Sequence, residues 1–316
     1  MLLSTEKHTA LIKAEAQRLG FMSCGIAQAV QLDEDAARLE QWLNKGHGAG
    51  MQYMNNHFDL RTDPRKLVPG AKSVITLLFN YYPSAQQSPL APKVAKYAWG
   101  TDYHYVIREK LNEMLQYIRD NIGEVNGRGF VDSAPVLERS WAVRSGLGWI
   151  GKNGNVLNRS AGSFFFIATL ITDLQLVADA PFATDHCGTC TRCMDACPTQ
   201  AIVSPAEIDA GKCISYLTIE LKDELIPNEF HEQMQGWLFG CDICQDVCPW
   251  NRFSKPHNEL QFTPIPELLN LSIGEWEAMS EETFNRTFKN SPLKRTKWKG
   301  IQRNLKAITP PDLSTF

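Results

Sequence analysis

The sequence predicts an α+β fold made of three successive parts, and three observations support this prediction. Apolar strands alternate with amphipathic helices as far as residue 178, which is typical of a sheet covered by helices. Eight of the nine cysteines lie between Cys187 and Cys248 and define a second part. The remaining residues are helical in pattern and carry a basic segment. We therefore predict domains over residues 1–178, 179–252 and 253–316, because 316 residues exceed what one core usually supports.

The first part alternates between helices and strands along the chain. Apolar residues recur at helical spacing, with Thr5 as the first cap, and predict helices at 5–18, 33–44, 103–121 and 134–145. Short apolar runs such as SVITLLF predict strands at 21–27, 73–79, 129–131 and 164–172. The segment GHGAG at 46–50 has no strand leading into it, so we predict a loop rather than a phosphate cradle.

Composition and charge restrict the function. The formal net charge is −3 and the pI is about 6.2, so the whole chain has no electrostatic attraction to nucleic acid or an anionic membrane. The N-terminal residues lack the pattern of a signal peptide, and the longest apolar run, 164–171, is too short to cross a bilayer. We therefore expect a cytoplasmic monomer without a membrane partner. In a reducing cytosol, clustered cysteines are more often metal ligands or catalytic thiols than disulfides.

The cysteine spacing predicts two iron–sulfur clusters. Four cysteines in CGTCTRCMDACP have the C-x2-C-x2-C-x3-C-P spacing of bacterial [4Fe–4S] ligands, and three in CDICQDVCP repeat its second half. Cys213 supplies the eighth thiolate from a distance. In such sequences the last cysteine of each run binds the other cluster. The first cluster is assigned to Cys187, Cys190, Cys193 and Cys248, and the second cluster is assigned to Cys197, Cys213, Cys241 and Cys244.

Zinc ribbons and structural thiols are the alternatives to iron–sulfur binding. Zinc needs four ligands for each ion and commonly pairs two separate C-x2-C knuckles, which the compact run at 187–198 does not resemble. Small or polar residues between the ligands, Gly188, Thr189 and Thr191, leave room for backbone N–H groups to face the sulfurs. Cys24 lies in a predicted strand and is interpreted as a small buried apolar residue.

Clusters that carry electrons need an acceptor, and no G-x-G-x-x-G fingerprint for a nicotinamide or FAD follows a predicted strand. Four segments instead resemble the epoxyqueuosine reductase family: VDSAPVLERSWAVRSGLGWIGKN, HCGTCTRCMDACPTQAI, CISYLTIE and GCDICQDVCPWN. The resemblance covers about residues 5–305. It implies a nitroreductase-like α/β domain that binds cobalamin, as in the related reductive dehalogenases, followed by a ferredoxin-like domain with two [4Fe–4S] clusters. We expect the C-terminal helical repeat module of longer members to be missing or reduced, because the sequence stops at residue 316.

The resemblance implies a reaction, a proton donor and an electron donor. The substrate is a tRNA with epoxyqueuosine at the wobble position, and the product is queuosine, with the epoxide oxygen leaving as water. The electrons would come from a low-potential donor of the flavodoxin or ferredoxin type. Asp132 matches the family position of the proton donor. The alternative is that Asp132 caps the helix that follows it.

The resemblance also implies that cobalamin is bound base-off, without a histidine ligand from the protein. Asp102, Tyr103 and His104 match the start of the D-x-H-x-x-G motif that supplies such a histidine, but Ile107 replaces its glycine. We interpret this segment as a helix start that Asp102 caps.

Several residues are candidates for contact with cobalamin. In the loop at 146–158, Gly148 and Gly151 permit close approach of a bulky ligand, and Lys152 and Asn153 supply hydrogen-bond donors, although a plain loop is the alternative. Arg61 and residues beside the cluster ligands are further candidates. With the family match, the full candidate set is Arg61, Asp132, Gly151, Lys152, Asn153, Ser215, Cys241 and Asp242.

The C-terminal tail contains a pattern that suits RNA binding. Residues 283–311 contain no acidic residue and eight basic residues. Phe284, Phe288 and Trp298 are interleaved with these charges, which suits phosphate neutralisation with base stacking. The alternative is a solvated helix face over a buried aromatic stripe. We predict tRNA contacts by Lys294, Arg295, Lys297 and Arg303.

Two other functions compete with tRNA modification. A cobalamin-dependent reductase of a small molecule, such as a halogenated compound, would share the cofactors but would not need the basic tail. A non-enzymatic ferredoxin-like electron carrier would need neither Asp132 nor the loop that follows Gly146.

Overall fold

The computed structural model of the protein describes residues 2–309. The strands in this range are β1 (Ser23–Gln28), β2 (Ser73–Asn80), β3 (Lys93–Val94), β4 (Gly127–Phe130), β5 (Trp149–Ile150), β6 (Val156–Leu157), β7 (Phe165–Thr172), β8 (Ile202–Ser204), β9 (Glu207–Ile208) and β10 (Trp237–Phe239). The helices are α1 (Leu2–Arg18), α2 (Asp33–Asn44), α3 (Phe58–Thr62), α4 (Pro64–Leu67), α5 (Tyr103–Asn121), α6 (Glu138–Arg144), α7 (Arg192–Asp195), α8 (Ile214–Ile219), α9 (Ile243–Asp246), α10 (Ile273–Ala278), α11 (Glu281–Thr287) and α12 (Lys297–Ile308).

The first part of the chain is built on an antiparallel sheet with the strand order β1-β2-β7-β4. Ile75 lies opposite Ile26 on one neighbouring strand and opposite Leu170 on the other. Helices α1 and α5 pack on one face of the sheet, and α6 covers the other face with the buried ring of Trp141. Both faces are therefore buried, which confirms the predicted covered sheet.

Two helices begin at different residues from those predicted. Helix α1 begins at Leu2, so Thr5 lies within the helix rather than at its cap. Helix α6 begins at Glu138 instead of residue 134. The reason is that Asp132 has a left-handed backbone, with φ 53°, and Pro135 disfavours helical geometry in the residue before it. The segment between β4 and α6 is consequently an irregular loop.

The cysteine-rich part contains two short helices that pack against each other. Helix α7 contains Cys193 and helix α9 contains Cys244. Strands β8 and β9 form a hairpin between them in sequence. Strand β10 pairs in parallel with β3, so a sheet joins the cysteine-rich part to the first part.

The tail is helical, as predicted, and its aromatic residues form a core. Phe284 and Phe288 are fully buried, and Trp298 packs against Phe284 with a ring distance of 5.6 Å. The same core contains Trp99 and Phe239, so the tail packs against both preceding parts. The rings of Phe284 and Phe288 are not available for base stacking, which corrects that part of the RNA-binding interpretation, and Trp298 is half-buried. Residues 310–316 of the predicted tail lie outside the described residues.

Three smaller features concern single segments. Residues 46–50 form turns, which confirms the predicted loop. Cys24 packs against the core of the first part, and burial raises the pKa of its thiol to about 12, so it is an inert apolar residue as predicted. Within residues 2–309, no helix has both the length and the apolar composition needed to cross a bilayer.

Candidate active site and cluster-binding sites

Asp132 lies at the end of the sheet in a strained conformation. It follows β4 after a single residue, has a φ of 53°, and exposes 64% of its side chain. Its Oδ2 accepts a hydrogen bond from the hydroxyl of Tyr103, and its backbone N–H donates to Oε1 of Glu138 at 3.0 Å. The cap of α6 is Leu137 and makes no side-chain hydrogen bond, so the alternative that Asp132 caps this helix is wrong. An exposed acid held in a rare backbone conformation is typical of a functional residue.

Tyr103 and His104 place aromatic and polar groups beside Asp132. The ring of Tyr103 stacks between Phe166, at 4.0 Å, and His104, at 4.2 Å. Burial raises the pKa of Tyr103 well above its ordinary value, so its hydroxyl is a neutral donor to the carboxylate of Asp132. The ring nitrogen Nε2 of His104 lies 3.9 Å from Oδ2 of Asp132.

The start of α5 explains why His104 points towards Asp132. Asp102 accepts a hydrogen bond from the backbone N–H of His104 at 3.0 Å, which confirms that Asp102 caps the helix. The same Oδ1 atom lies 2.7 Å from Nδ1 of His104 and orients the ring. One nitrogen of His104 is therefore bound by Asp102 and the other faces Asp132.

Glu138 is the second carboxyl group of this site. Burial, together with the negative charge of Asp132, raises the pKa of Glu138 to about 8. Glu138 is therefore mostly protonated at neutral pH and does not add a second negative charge beside Asp132. No role at this site was assigned to Glu138 or Tyr103 from the sequence, because both reach Asp132 only through the folded chain.

A buried cation and a second cation flank the same site. Arg61 is 8% exposed, donates one hydrogen bond to the carbonyl of Tyr53 at 2.8 Å, and has no partner for its buried Nε atom. Burial lowers the pKa of Arg61. Arg295, from the tail, binds Glu220 at 3.0 Å, and its pKa is raised first by that hydrogen bond and also by the charge of Asp132. Arg295 of the tail is therefore close enough to Asp132 for its pKa to be affected by that charge.

The eight cluster cysteines fall into two neighbouring sets. The pKa of Cys248 is raised mainly by burial and also by the nearby thiols of Cys187 and Cys190. The pKa of Cys193 is raised mainly by burial and also by the thiols of Cys248 and Cys187. A cavity of about 200 Å³ is lined by all four of these residues. This is the set assigned to the first cluster from the sequence.

The second set is more deeply buried. Burial and then Cys213 and Cys197 raise the pKa of Cys241, and burial and then Cys241 and Cys213 raise that of Cys244. Cys193, which belongs to the first set, also raises the pKa of Cys244, but less than Cys241 and Cys213 do. The grouping agrees with the predicted exchange of one ligand between the two runs.

Zinc and a cubane place different demands on their thiolate ligands. Among residues 2–309, no three His, Cys, Asp or Glu side chains converge on one ion-sized position. Zinc needs its sulfur ligands at about 2.3 Å from one centre, whereas a cubane holds its thiolates at separate corners. Backbone N–H groups also face the sulfurs, as predicted, for example that of Ala201, which donates to Sγ of Cys197 at 3.3 Å.

The loop at 146–158 contacts both sets of cysteines. Lys152 Nζ donates to the carbonyl of Gly188 at 2.7 Å, and Asn153 Nδ2 donates to the carbonyl of Cys244 at 3.3 Å. A Cβ atom on Gly148 would lie 2.1 Å from the carbonyl oxygen of Leu157, and one on Gly151 would lie 2.7 Å from the side chain of Leu157. These glycines are therefore required by the packing of the loop itself, whereas the sequence analysis related them to a ligand.

The candidates beside the second cluster have different environments. Asp242 is 2% exposed and accepts hydrogen bonds from the backbone N–H of Lys96, at 2.8 Å, and from its Nζ, at 3.4 Å. Its carboxylate faces Lys96 and is not exposed to a ligand, which corrects its assignment as a cobalamin contact. Ser215 lies half-buried in the first turn of α8, and Cys241 is half-buried next to the core.

The four residues predicted to contact tRNA differ in their exposure. Lys294 and Lys297 are exposed, and Arg295 is exposed but paired with Glu220. Arg303 is 6% exposed, and its guanidinium donates to the carbonyl of Leu217 at 3.0 Å and to that of Leu221. The prediction that Arg303 contacts tRNA is therefore wrong: Arg303 is a structural residue.

Comparison with known proteins gives consistent results. Residues 61–133 match the family model described as Epoxyqueuosine reductase QueG, DUF1730, and residues 186–251 match the model of a 4Fe-4S double cluster binding domain. A protein named epoxyqueuosine reductase from Cyclobacterium marinum is 61% identical over 95% of this chain and 96% of its own length. One from Cellulophaga algicola is 59% identical over 95% of this chain and 97% of its own length.

Solved structures of epoxyqueuosine reductases share the fold. One, in complex with an epoxyqueuosine-modified tRNA-Tyr stem loop, has a TM-score of 0.86 and 31% identity, and covers 94% of this chain and 79% of its own. Another, from Bacillus subtilis with its aspartate-bearing catalytic loop swung out of the active site, has a TM-score of 0.87 and 30% identity, with the same coverage. The resemblance stated from the sequence is confirmed. The chain belongs to the epoxyqueuosine reductase family.

Proposed function

We propose that this chain is an oxidoreductase that reduces epoxyqueuosine to queuosine in tRNA with electrons that pass through two [4Fe–4S] clusters. The observation that carries the proposal is a continuous connection between the second cysteine set and Asp132. Asp242, next to Cys241, binds the backbone of Lys96 at 2.8 Å. The ring of the following residue, Tyr97, lies 6.1 Å from that of Tyr103, whose hydroxyl binds Asp132.

Asp132 is proposed as the proton donor. Conversion of an epoxide to an alkene breaks two C–O bonds and consumes two electrons and two protons, with water as the second product. Asp132 is exposed and is held by Tyr103 and by Glu138. Its protonated form can give a proton to the departing oxygen, and the carboxylate that remains accepts the hydrogen bond of Tyr103. The swung-out loop of the Bacillus subtilis relative supports the view that the segment from Asp132 to α6 moves to admit substrate.

Cobalamin fits the residues around Arg61. A buried guanidinium without a carboxylate partner, with one unbonded Nε, suits an anionic or amide-rich ligand. When bound, cobalamin supplies a strongly reducing and nucleophilic metal centre. Cobalamin would be held by Arg61, Asp132, Gly151, Lys152, Asn153, Ser215 and Cys241. Base-off binding without a histidine ligand is part of this proposal, because Ile107 replaces the glycine of the D-x-H-x-x-G motif.

The exposed tail cations are proposed to contact the tRNA. Lys294 and Lys297 are exposed, and Arg295 lies within the electrostatic influence of Asp132. The relative solved with an epoxyqueuosine-modified tRNA stem loop supports RNA binding by this chain. We further propose that the protein acts as a monomer in the cytosol, where its tRNA substrate lies, and receives electrons from a flavodoxin- or ferredoxin-type donor.

A direct experiment tests this function. The protein is reconstituted anaerobically with iron, sulfide and cobalamin, reduced with dithionite, and incubated with tRNA that contains epoxyqueuosine. Mass analysis of the digested nucleosides should show queuosine, lighter by one oxygen. Formation of no queuosine by a protein that carries both clusters would overturn the proposal and would leave the electron-carrier alternative.

A further inference from the structure

The cavity lined by the first cysteine set carries a group of cations, and the proposed function gives no role to two of them, Arg192 and Arg252. Lys152, Arg192 and Arg252 line the cavity together with the four thiols. Arg192 and Arg252 are exposed, and the guanidinium of Arg252 lies 4.5 Å from the ring centre of Phe253, which is itself 37% exposed. Within the described part of the chain, no Asp or Glu side chain lines this cavity.

Nearby acidic residues do not cancel these charges at the cavity. Asp185 accepts a hydrogen bond from the backbone N–H of Cys187 at 2.7 Å, and Asp195 accepts one from the hydroxyl of Thr191 at 2.7 Å. Both carboxylates are exposed and neither lines the cavity. The chain as a whole has a formal net charge of −3, so this positive surface is a local feature that the composition does not reveal.

The two cysteine sets have different surroundings. The first set lines the cavity that carries the cations. Cys213 and Cys241 of the second set pack against an apolar cluster that includes Ile214 and Trp237. The second set is also the one connected to Asp132 through Lys96 and Tyr97. Electrons that enter from outside therefore meet the first cluster and leave through the second.

We propose that the cations around the first cysteine set are the docking surface for an acidic one-electron carrier protein, with a flavodoxin hydroquinone as the form that reacts. This inference rests on the proposed function. In each encounter the hydroquinone loses one electron and becomes a semiquinone, and the first cluster gains that electron. Two encounters supply the two electrons that one epoxide consumes. A net-negative enzyme would repel an acidic partner elsewhere, so the local charges select this site.

The test uses the reconstituted protein and charge reversal at the cavity. Arg192→Glu/Arg252→Glu is compared with the wild-type protein and with Arg119→Glu, which reverses an exposed charge on α5. Flavodoxin hydroquinone is mixed with each protein at low ionic strength without tRNA, and loss of cluster absorbance gives the rate. The flavodoxin affinity is measured separately by calorimetry. We expect both the rate and the affinity of the double variant to fall about tenfold or more, with no change in Arg119→Glu.

Controls separate docking from damage to the cluster. Iron content and reduction by photoreduced deazaflavin, a small neutral reductant, should match the wild-type protein. If the charge-reversed protein loses iron, Arg192→Gln/Arg252→Gln replaces it and should give a smaller decrease of the same kind. Three results would overturn the docking proposal. The first is an unchanged rate of cluster reduction by flavodoxin in the double variant, and the second is an equal decrease of that rate in Arg119→Glu. The third is a double variant that loses affinity for tRNA instead of flavodoxin. If flavodoxin hydroquinone reduces the clusters at the normal rate but no queuosine forms, the proposed function alone would be overturned.

Discussion

The hydroxyl of Tyr103 donates a hydrogen bond to Oδ2 of Asp132, and this contact joins the start of α5 to the loop after β4. The two residues are 29 positions apart, and stacking against Phe166 fixes the ring of Tyr103. Asp132 has a left-handed φ of 53°, which costs roughly 1 kcal/mol or more for a residue with a side chain. The hydrogen bonds from Tyr103 and to Glu138 offset this cost and hold the carboxylate in place.

Replacement of Asp132 by Asn should remove the proton donor and keep the shape of the site. We expect queuosine formation to slow by a factor of roughly 10² to 10⁴, the usual contribution of a positioned acid. Iron content and tRNA affinity should stay at wild-type values because Asp132 is not a cluster ligand. Single-turnover nucleoside analysis measures the rate, and a wild-type rate in Asp132→Asn would assign the proton to another group.

Tyr103→Phe tests the positioning of Asp132. Loss of one hydrogen bond to a charged group costs about 1.5–3 kcal/mol, so we expect the rate to fall roughly 10- to 100-fold. Tyr105→Phe, at an exposed position two residues away on α5, is the matched control and should have the wild-type rate. If both variants behave alike, the hydroxyl of Tyr103 does not position Asp132.

Glu138→Gln should remove a pH-dependent loss of stability. The pKa of Glu138 is raised from 4.5 to about 8 in the folded protein, so the folded state keeps a proton that the unfolded chain releases between these values. Its stabilising contribution is complete below pH 4.5 and is lost as the pH rises through about 8. Gln keeps the acceptor for the N–H of Asp132 without titrating. The Tm of the wild-type protein should therefore decrease relative to Glu138→Gln from pH 5 to pH 8.

The matched control for this experiment is Glu109→Gln, at an exposed position on α5. Its Tm should follow that of the wild-type protein across the same range. Parallel curves for the wild-type protein and Glu138→Gln would show that Glu138 titrates normally in the folded state.

The tail predictions separate a surface role from a structural one. Lys294→Glu/Lys297→Glu should weaken tRNA binding, with an unchanged Tm. The slope of log K against log salt should become smaller by about 0.7 to 0.9 for each phosphate that is no longer neutralised. Filter binding at several salt concentrations measures this effect.

Arg303→Ala should instead lower the free energy of unfolding by about 2–4 kcal/mol, because buried carbonyls of Leu217 and Leu221 lose their donor. Thermal denaturation measures this effect. A normal Tm in Arg303→Ala would contradict its structural role.

Cys213→Ala tests the membership of the second cysteine set. Removal of one of four thiolates should cost one cluster and leave the other, so iron should fall from about eight atoms to about four for each chain. Cys24→Ala is the control, because Cys24 packs in the core of the first part, and it should keep all of its iron. Full iron content in Cys213→Ala would remove Cys213 from the ligand set.

The sequence was informative where the chemistry is local. The spacing of the cysteines indicated two clusters, and the 4Fe-4S double cluster binding model matches residues 186–251. The membership of each set stays a prediction. Asp102 was recognised as a cap because capping is also a local contact. The contacts of Asp132 with Tyr103 and Glu138 depend on how α5 and α6 pack against the sheet, and no local pattern records that packing.

The basic tail shows the opposite case. Its charge pattern predicted a uniform RNA-binding surface, but the carbonyls that Arg303 binds lie more than 80 residues earlier in the chain. Phe284 and Phe288 are buried because the tail covers Trp99 and Phe239 of the preceding parts. Asp242 is similar, since its partner Lys96 comes from the first part. Long-range packing decides which charges and rings remain exposed.

One measurement tests the central claim most directly. The holoprotein is reduced, the reductant is removed, and tRNA with epoxyqueuosine is added while cluster absorbance and nucleosides are followed together. The account predicts that the clusters reoxidise as queuosine appears, with two electrons lost for each queuosine formed. Queuosine formed while the clusters stay reduced, or clusters that reoxidise without any queuosine, would contradict it.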